Sequence, residues 1–108
     1  MNEYEIDECV ERVERHAPQF LPYARFLADW RDTINENSDG WPYWKIGRNS
    51  AKKLMSLLDR TIAALREGGE MPTEAEFKKS LAPIRAAAKK YNLPVPELRE
   101  NMPAGPRM

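Results

Sequence analysis

The chain has 108 residues, of which 42% are hydrophobic, and its 17 basic side chains balance 17 acidic ones. This is the size and composition of one globular domain, which excludes a multidomain enzyme and a chain that is disordered throughout. No apolar run approaches the roughly 20 residues of a membrane-spanning helix, and the acidic N-terminus differs from a secretory signal. The single Cys9 excludes an internal disulfide, so we expect a cytoplasmic protein.

The first two predicted helices are amphipathic and each is bounded by proline or turn residues. The first spans about Glu3 to His16, and Pro18 ends it. The second runs from about Phe20 to Glu36, with Pro22 in its first turn, and turn residues follow it. Their apolar stripes recur at helical spacing and predict core positions: Ile6, Cys9, Val10, Val13 and Ala17 in the first helix, and Phe20, Tyr23, Phe26, Leu27, Trp30 and Ile34 in the second.

The third predicted helix is the longest. Ser50 is a good N-cap and Gly68-Gly69 a good C-terminal signal, so its firm part lies between them. Residues 41–44 are either an early turn of this helix or a separate aromatic loop. We expect a break or kink near Gly47 and Asn49. Its predicted core stripe comprises Ala51, Leu54, Met55, Leu58, Ile62 and Leu65.

The fourth predicted helix begins at a capping box formed by Thr73 and Glu76. Pro83 interrupts this helix, and Asn92 is suited to the left-handed conformation that ends it. Its predicted seam comprises Phe77, Leu81, Ile84, Ala88 and Tyr91. The whole pattern predicts an all-α fold, a compact four-helix antiparallel bundle. We expect a single helical domain over residues 1–98 and a flexible, proline-rich C-terminal tail over residues 99–108.

Catalytic and metal-binding patterns are weak. Cys9 and His16 are the one possible thiol dyad, and seven residues of helix separate them by roughly 10 Å, too far for proton transfer. Two such ligands are too few for structural zinc. Residues 35–40 resemble the first half of a calcium loop, but Ile46 stands where a bidentate Glu is required. The sequence therefore predicts no catalytic residue, no metal site, no cofactor and no enzymatic activity.

Asp29, Asp32 and Glu36 are spaced so that their side chains lie on one face of a helix. Together with a ligand from another helix, these carboxylates could hold Mg²⁺. Arg25 lies four residues before Asp29, a spacing typical of a helix ion pair, and the group is opposite the aromatic stripe. A solvated face is the simpler interpretation.

An aromatic segment between Gly40 and Arg48 is the most distinctive feature. Three aromatic residues in four, followed by basic ones, have the composition of an interface hot spot and are costly to expose. The alternative is that Trp41 and Trp44 close one end of the core. The spacing of Trp44 to Ala51 and Leu54 favours a structural role for it, whereas Trp41 and Tyr43 are expected to be partly exposed. The predicted partner-binding residues are Trp41, Tyr43, Trp44, Lys45 and Arg48.

The same segment, continued through Ala51-Lys52-Lys53-Leu54-Met55, resembles small helical proteins predicted in phage and prophage genomes. The similarity extends through Pro72-Thr73 to Leu81-Ala82-Pro83-Ile84. That resemblance carries no assigned activity. It implies a mobile-element accessory protein that binds a host or phage protein.

Nucleic-acid binding is the alternative function, because the neutral chain is polarised. Residues 45–60 hold five basic and one acidic side chain, residues 78–91 hold five basic and none acidic, and residues 1–16 hold six acidic and two basic. Zero net charge disfavours nucleic-acid binding in general, and the long connection from Glu67 to Pro72 and the bend expected at Pro83 disfavour a helix-turn-helix. The alternative site comprises Arg48, Lys52, Lys53, Lys78, Lys79, Lys89 and Lys90. A protein partner is our first expectation, and the sequence leaves the oligomeric state open.

Overall fold

The computed structural model describes the backbone of residues 3–37 and 41–98, and the side chains of this part other than residues 3, 4, 41–44 and 46. Within it the chain forms five α-helices, so the all-α prediction is confirmed, and no strand occurs among these residues. They are α1 (Glu3–His16), α2 (Leu21–Asn37), α3 (Trp41–Glu67), α4 (Glu74–Ser80) and α5 (Ala82–Lys90), with a 3-10 turn at Pro18–Phe20. No helix in the described ranges is long and apolar enough to cross a membrane.

The longest helix, α3, runs without interruption from Trp41 to Glu67, so the predicted break near Gly47 and Asn49 is wrong. Gly47 serves packing instead: a Cβ added there would lie 3.3 Å from Cγ1 of Ile34 in α2. The absence of a side chain at this position lets the two helices approach closely.

Ser50 lies inside α3 and is not its N-cap. Its buried hydroxyl accepts a hydrogen bond from Nε1 of Trp30 at 2.9 Å and donates one to the carbonyl of Gly47 at 3.1 Å. A polar side chain that resembles a cap in the sequence therefore joins α3 to the buried tryptophan of α2.

Helix ends follow the sequence signals closely elsewhere. Gly68 has a left-handed φ of 75° and donates to the carbonyl of Ala64 at 3.0 Å. At the start of α4, the Glu76 N–H donates to Thr73 Oγ1 at 3.2 Å and the Thr73 N–H donates to the Glu76 carboxylate at 2.9 Å. The predicted capping box is confirmed.

The fourth predicted helix is divided at Leu81 into α4 and α5, because Pro83 lacks the N–H that a continuous helix needs. Leu81 stays in the right-handed helical region, with φ −80° and ψ −19°. At the far end Asn92 has φ 56°, and the Leu93 N–H reaches the carbonyl of Ala88 at 2.8 Å. The Asn92 N–H also donates to the carbonyl of Lys89 at 3.2 Å, so the two bonds form a Schellman motif and the predicted left-handed terminator is confirmed.

The core is built mainly from the predicted stripes, but five stripe residues are not fully buried. Leu65 is 43% exposed, since it lies in the last turn of α3. Val10, Phe20, Met55 and Tyr91 are half-buried. Leu57, which no stripe included, is buried. The buried apolar side chains are Ile6, Cys9, Val13, Ala17, Tyr23, Ala24, Phe26, Leu27, Trp30, Ile34, Ala51, Leu54, Leu57, Leu58, Ile62, Phe77, Leu81, Ile84 and Ala88.

Contacts between specific residues show how the helices lie. Ile34 meets α3 at Gly47, and Trp30 meets it at Ser50, so α2 and α3 run in opposite directions. Phe77 of α4 stacks on Phe20 and Tyr23, with ring centroids 5.2 and 4.7 Å apart, and holds α4 against the start of α2. The complete antiparallel bundle stays a prediction, and the predicted tail, 99–108, lies outside the described residues.

Candidate functional site

The start of α3 carries the residues that the sequence favours for partner binding. Residues 41–44 form the first turn of this helix, not a separate loop. Lys45 and Arg48 are exposed. The side chains of Trp41, Tyr43 and Trp44 lie outside the described part of the structure, so their predicted roles stay predictions.

An open groove of about 580 Å³ continues from Arg48 along the outer side of α3. We call it the α1–α3 groove, because Glu5 of α1 lies in its wall. Its α3 residues recur in steps of three or four between positions 48 and 63, and fifteen steps along the helix axis span about 22 Å. The groove is lined by Glu5, Arg48, Asn49, Lys52, Met55, Ser56, Asp59, Arg60 and Ala63.

Charges in the α1–α3 groove are unevenly distributed. Arg12 of α1 pairs with Asp59 at 3.2 Å, and Glu76 of α4 pairs with Arg60 at 3.6 Å. Lys52 makes no ion pair with any residue that the structure describes and is exposed. By charge count, the half of the groove that holds Glu5, Arg48 and Lys52 carries a net positive charge, whereas Asp59 and Arg60 balance each other in the other half.

A small apolar depression lies beside the groove. It holds about 20 Å³, and its lining includes Ile6, Trp30, Ile34 and Gly47. Arg48 borders both the depression and the groove. The volume of the depression accommodates one water-sized or methyl-sized group, so the depression can receive the tip of an apolar side chain but no larger ligand.

The basic residues of the alternative site are all exposed but do not share one surface. Arg48 and Lys52 line the α1–α3 groove, whereas Lys53 is about 140° around the helix from Arg48. The other members lie on separate helices: Lys78 and Lys79 on α4, and Lys89 and Lys90 on α5. Lys90 lies over the ring of Tyr91, 5.6 Å from its centroid.

Cys9 is placed as a core residue. Burial, with a smaller contribution from the charge of Asp59, raises the pKa of its thiol to about 11, so the thiol is protonated at neutral pH. His16 is exposed at the end of α1. A buried protonated thiol and an exposed imidazole lack the geometry of a nucleophile and its base.

The acidic positions that could resemble a metal site are exposed. Asp32 accepts a hydrogen bond from Nε of Arg31 at 3.1 Å, and Asp29 and Glu36 lie on the same exposed side of α2. Among the described residues there is no group of three or more His, Cys, Asp or Glu side chains that could hold a metal ion. Residues 35–37 of the calcium-like segment belong to α2, and residues 38–40 lie outside the described ranges.

Comparisons with protein-family models, with curated proteins and with solved structures give no match to this chain.

The sequence does not predict the α1–α3 groove, and its central apolar residue reads as a core position. Met55 was assigned to the core stripe, yet it is half-buried at the edge of that stripe and faces the groove. Arg48, Lys52 and Asp59 recur at helical spacing on one face, which is a detectable signal. What the spacing could not reveal is that α1 lies beside this face and turns it into a groove.

Proposed function

We propose that this chain is a non-enzymatic, cytoplasmic protein-binding module, and that the first three turns of α3 form its contact surface. Such a module fits an accessory protein of a phage or mobile element that acts on a host or phage protein. The observation that carries the proposal is the exposed pair Lys45 and Arg48, in the same helix as the aromatic first turn and next to the α1–α3 groove. Arg is enriched at interface hot spots, and basic side chains steer an acidic partner.

Affinity capture with matched variants tests this proposal. Full-length wild-type protein, a Lys45→Glu/Arg48→Glu variant and a Lys89→Glu/Lys90→Glu variant are each incubated with nuclease-treated lysate of the organism that encodes the chain. Both variants change the net charge equally, but the second alters only α5. We expect the wild type and the α5 variant to retain a common protein that the α3 variant loses. Equal capture by all three proteins would contradict a site on α3.

Replacement of Trp41 by Ala examines the aromatic part of the site. We expect its free energy of unfolding to change by less than about 0.5 kcal/mol, as for an ordinary surface position. Binding to the captured partner should weaken by about 2 kcal/mol or more, the usual threshold for a hot spot. Strong destabilisation, on the order of 3–5 kcal/mol, would indicate instead a core residue.

Nucleic-acid binding is the second candidate, favoured by one observation: residues 78–91 contain five basic side chains and no acidic one, and all five are exposed. Gel shifts with generic duplex and single-stranded DNA at low salt test it. Measurable binding that falls steeply with salt, and that is abolished by changing Lys78, Lys79, Lys89 and Lys90 to Glu, would favour this function over the first.

A further inference from the structure

The α1–α3 groove has the shape of a site for a helix. Its lining follows α3 for about 22 Å, the length of a helix of about fifteen residues, and α1 bounds it at Glu5. A long groove beside two helices is the usual receptor for a third amphipathic helix, which lays its apolar face into it. The groove thus provides contact area that the exposed pair Lys45 and Arg48 alone lacks.

The lining of the α1–α3 groove combines apolar and basic groups in a defined order. Met55 is half-buried near the middle, and Ala63 is at the far end. Methionine is flexible and adapts to an apolar partner side chain. Arg48 and Lys52 supply positive charge at the near end, and at the far end Asp59 balances Arg60.

We propose, resting on the protein-binding function above, that the α1–α3 groove binds an acidic amphipathic helix of a partner protein. Its apolar residues would cover Met55, and its carboxylates would lie against Lys52 and Arg48. Charge complementarity selects this occupant: a basic helix would be repelled by Lys52, which makes no ion pair with any residue in the described part of the chain. A helix can place its carboxylates beside Lys52 and Arg48 and present apolar or neutral residues to Glu5 and Asp59, whereas a nucleic acid carries a phosphate at every nucleotide along the groove.

Titration of the isotope-labelled full chain with a synthetic peptide tests the inference. The probe is a fifteen-residue peptide of Glu, Leu and Ala with leucines at helical spacing, and its matched control carries Lys in place of every Glu. Amide shifts in NMR spectra locate the binding site, and fluorescence anisotropy of labelled peptide measures the affinity. We expect the acidic peptide to shift the amides of residues 48–63, and the Lys peptide to bind at least tenfold more weakly.

Two variants separate the groove from general charge. Lys52→Glu should weaken binding of the acidic peptide about tenfold, and Met55→Asn should weaken it several-fold, whereas Lys89→Glu, which makes the same charge change on α5, should change it less than twofold. Circular dichroism establishes that each variant is folded. Equal affinity for the two peptides, or shifts confined to α4 and α5, would overturn the proposal. So would concentration-dependent shifts of residues 48–63 without peptide, which would indicate a second copy of the chain as the occupant.

Failure of the helix-binding proposal can be distinguished from failure of the protein-binding function. If a protein partner is lost with Lys45→Glu/Arg48→Glu but retained with Lys52→Glu and Met55→Asn, α3 binds protein through its first turns. The helix-binding groove is then wrong and the broader function stands. If no variant affects capture, both proposals fail.

Discussion

Removal of the Ser50 hydroxyl is the sharpest test of how α2 and α3 are held together. Trp30 is 1% exposed, and its indole N–H donates to Ser50 Oγ at 2.9 Å. Ser50→Ala leaves this buried donor without a partner, which costs about 1–3 kcal/mol. Alanine also favours the helix by up to roughly 0.5 kcal/mol, which offsets part of that loss. We therefore expect a net destabilisation of about 1–2 kcal/mol.

Chemical denaturation followed by circular dichroism measures this loss, and Ser56→Ala is the matched control. Ser56 is an exposed serine of the same helix, so its replacement shows the helix-propensity effect alone. We expect the control to be neutral or slightly stabilising. For a domain of about 100 residues, the loss at Ser50 corresponds to a Tm lowered by roughly 4–12 °C.

A double-mutant cycle decides whether the loss of stability in Ser50→Ala arises from the lost hydrogen bond to the Trp30 indole. In a Trp30→Phe background the N–H is absent, so Ser50→Ala should cost little, and the coupling free energy should be about 1 kcal/mol or more. An equal cost of Ser50→Ala in both backgrounds would refute the reasoning. It would indicate that Ser50 acts within its own helix, through the hydrogen bond that its hydroxyl donates to the Gly47 carbonyl.

Three further results are expected. Gly47→Ala should destabilise the protein by up to about 1 kcal/mol, although alanine has the better helix propensity, because the new Cβ crowds Ile34. In an Ile34→Ala background the same change should instead raise the stability measured by thermal denaturation. The hydrogen bond from the Thr73 backbone lowers the pKa of Glu76 in the folded protein. The stability that this bond adds is therefore present above the pKa of Glu76 in the unfolded chain and is lost as the pH falls through its pKa in the folded protein. Glu76→Gln should weaken this acid dependence of the denaturation midpoint, and an unchanged dependence would contradict the capping box. Burial raises the pKa of Cys9 to about 11, so stability should fall from about pH 9 upward, less so in Cys9→Ala, and labelling with a thiol reagent at pH 8 should be slow until the chain is unfolded.

The candidate site was only partly predictable from the sequence. Lys45 and Arg48 were identified by their composition and proximity to aromatic residues, and both are exposed. The seven basic residues of the alternative site were grouped by count, yet the structure distributes them over the groove, the far side of α3, α4 and α5. A count of charges along the chain gives neither the angle at which each side chain leaves its helix nor the position of the neighbouring helix. Those two quantities decide which charges act together.

Helix positions, ends and most of the core are determined locally, which is why the sequence alone was sufficient for them. A capping box closes within four residues, and a glycine or asparagine with positive φ ends a helix whatever surrounds it. Apolar periodicity likewise identifies the buried face of a helix before its neighbours are known. Pro83 was sufficient to predict the interruption between α4 and α5 for the same reason.

Only the tertiary structure decided what Gly47, Ser50 and Met55 do. Gly47 and Ser50 read locally as a helix breaker and a cap, but the close approach of Ile34 and the buried indole of Trp30 hold them inside one continuous helix. Packing and a buried hydrogen bond outweigh propensities of about 1 kcal/mol. Met55 faces a groove that exists because α1 lies beside α3, joined by Arg12 and Asp59. These contacts join residues more than ten positions apart, and no local pattern encodes them.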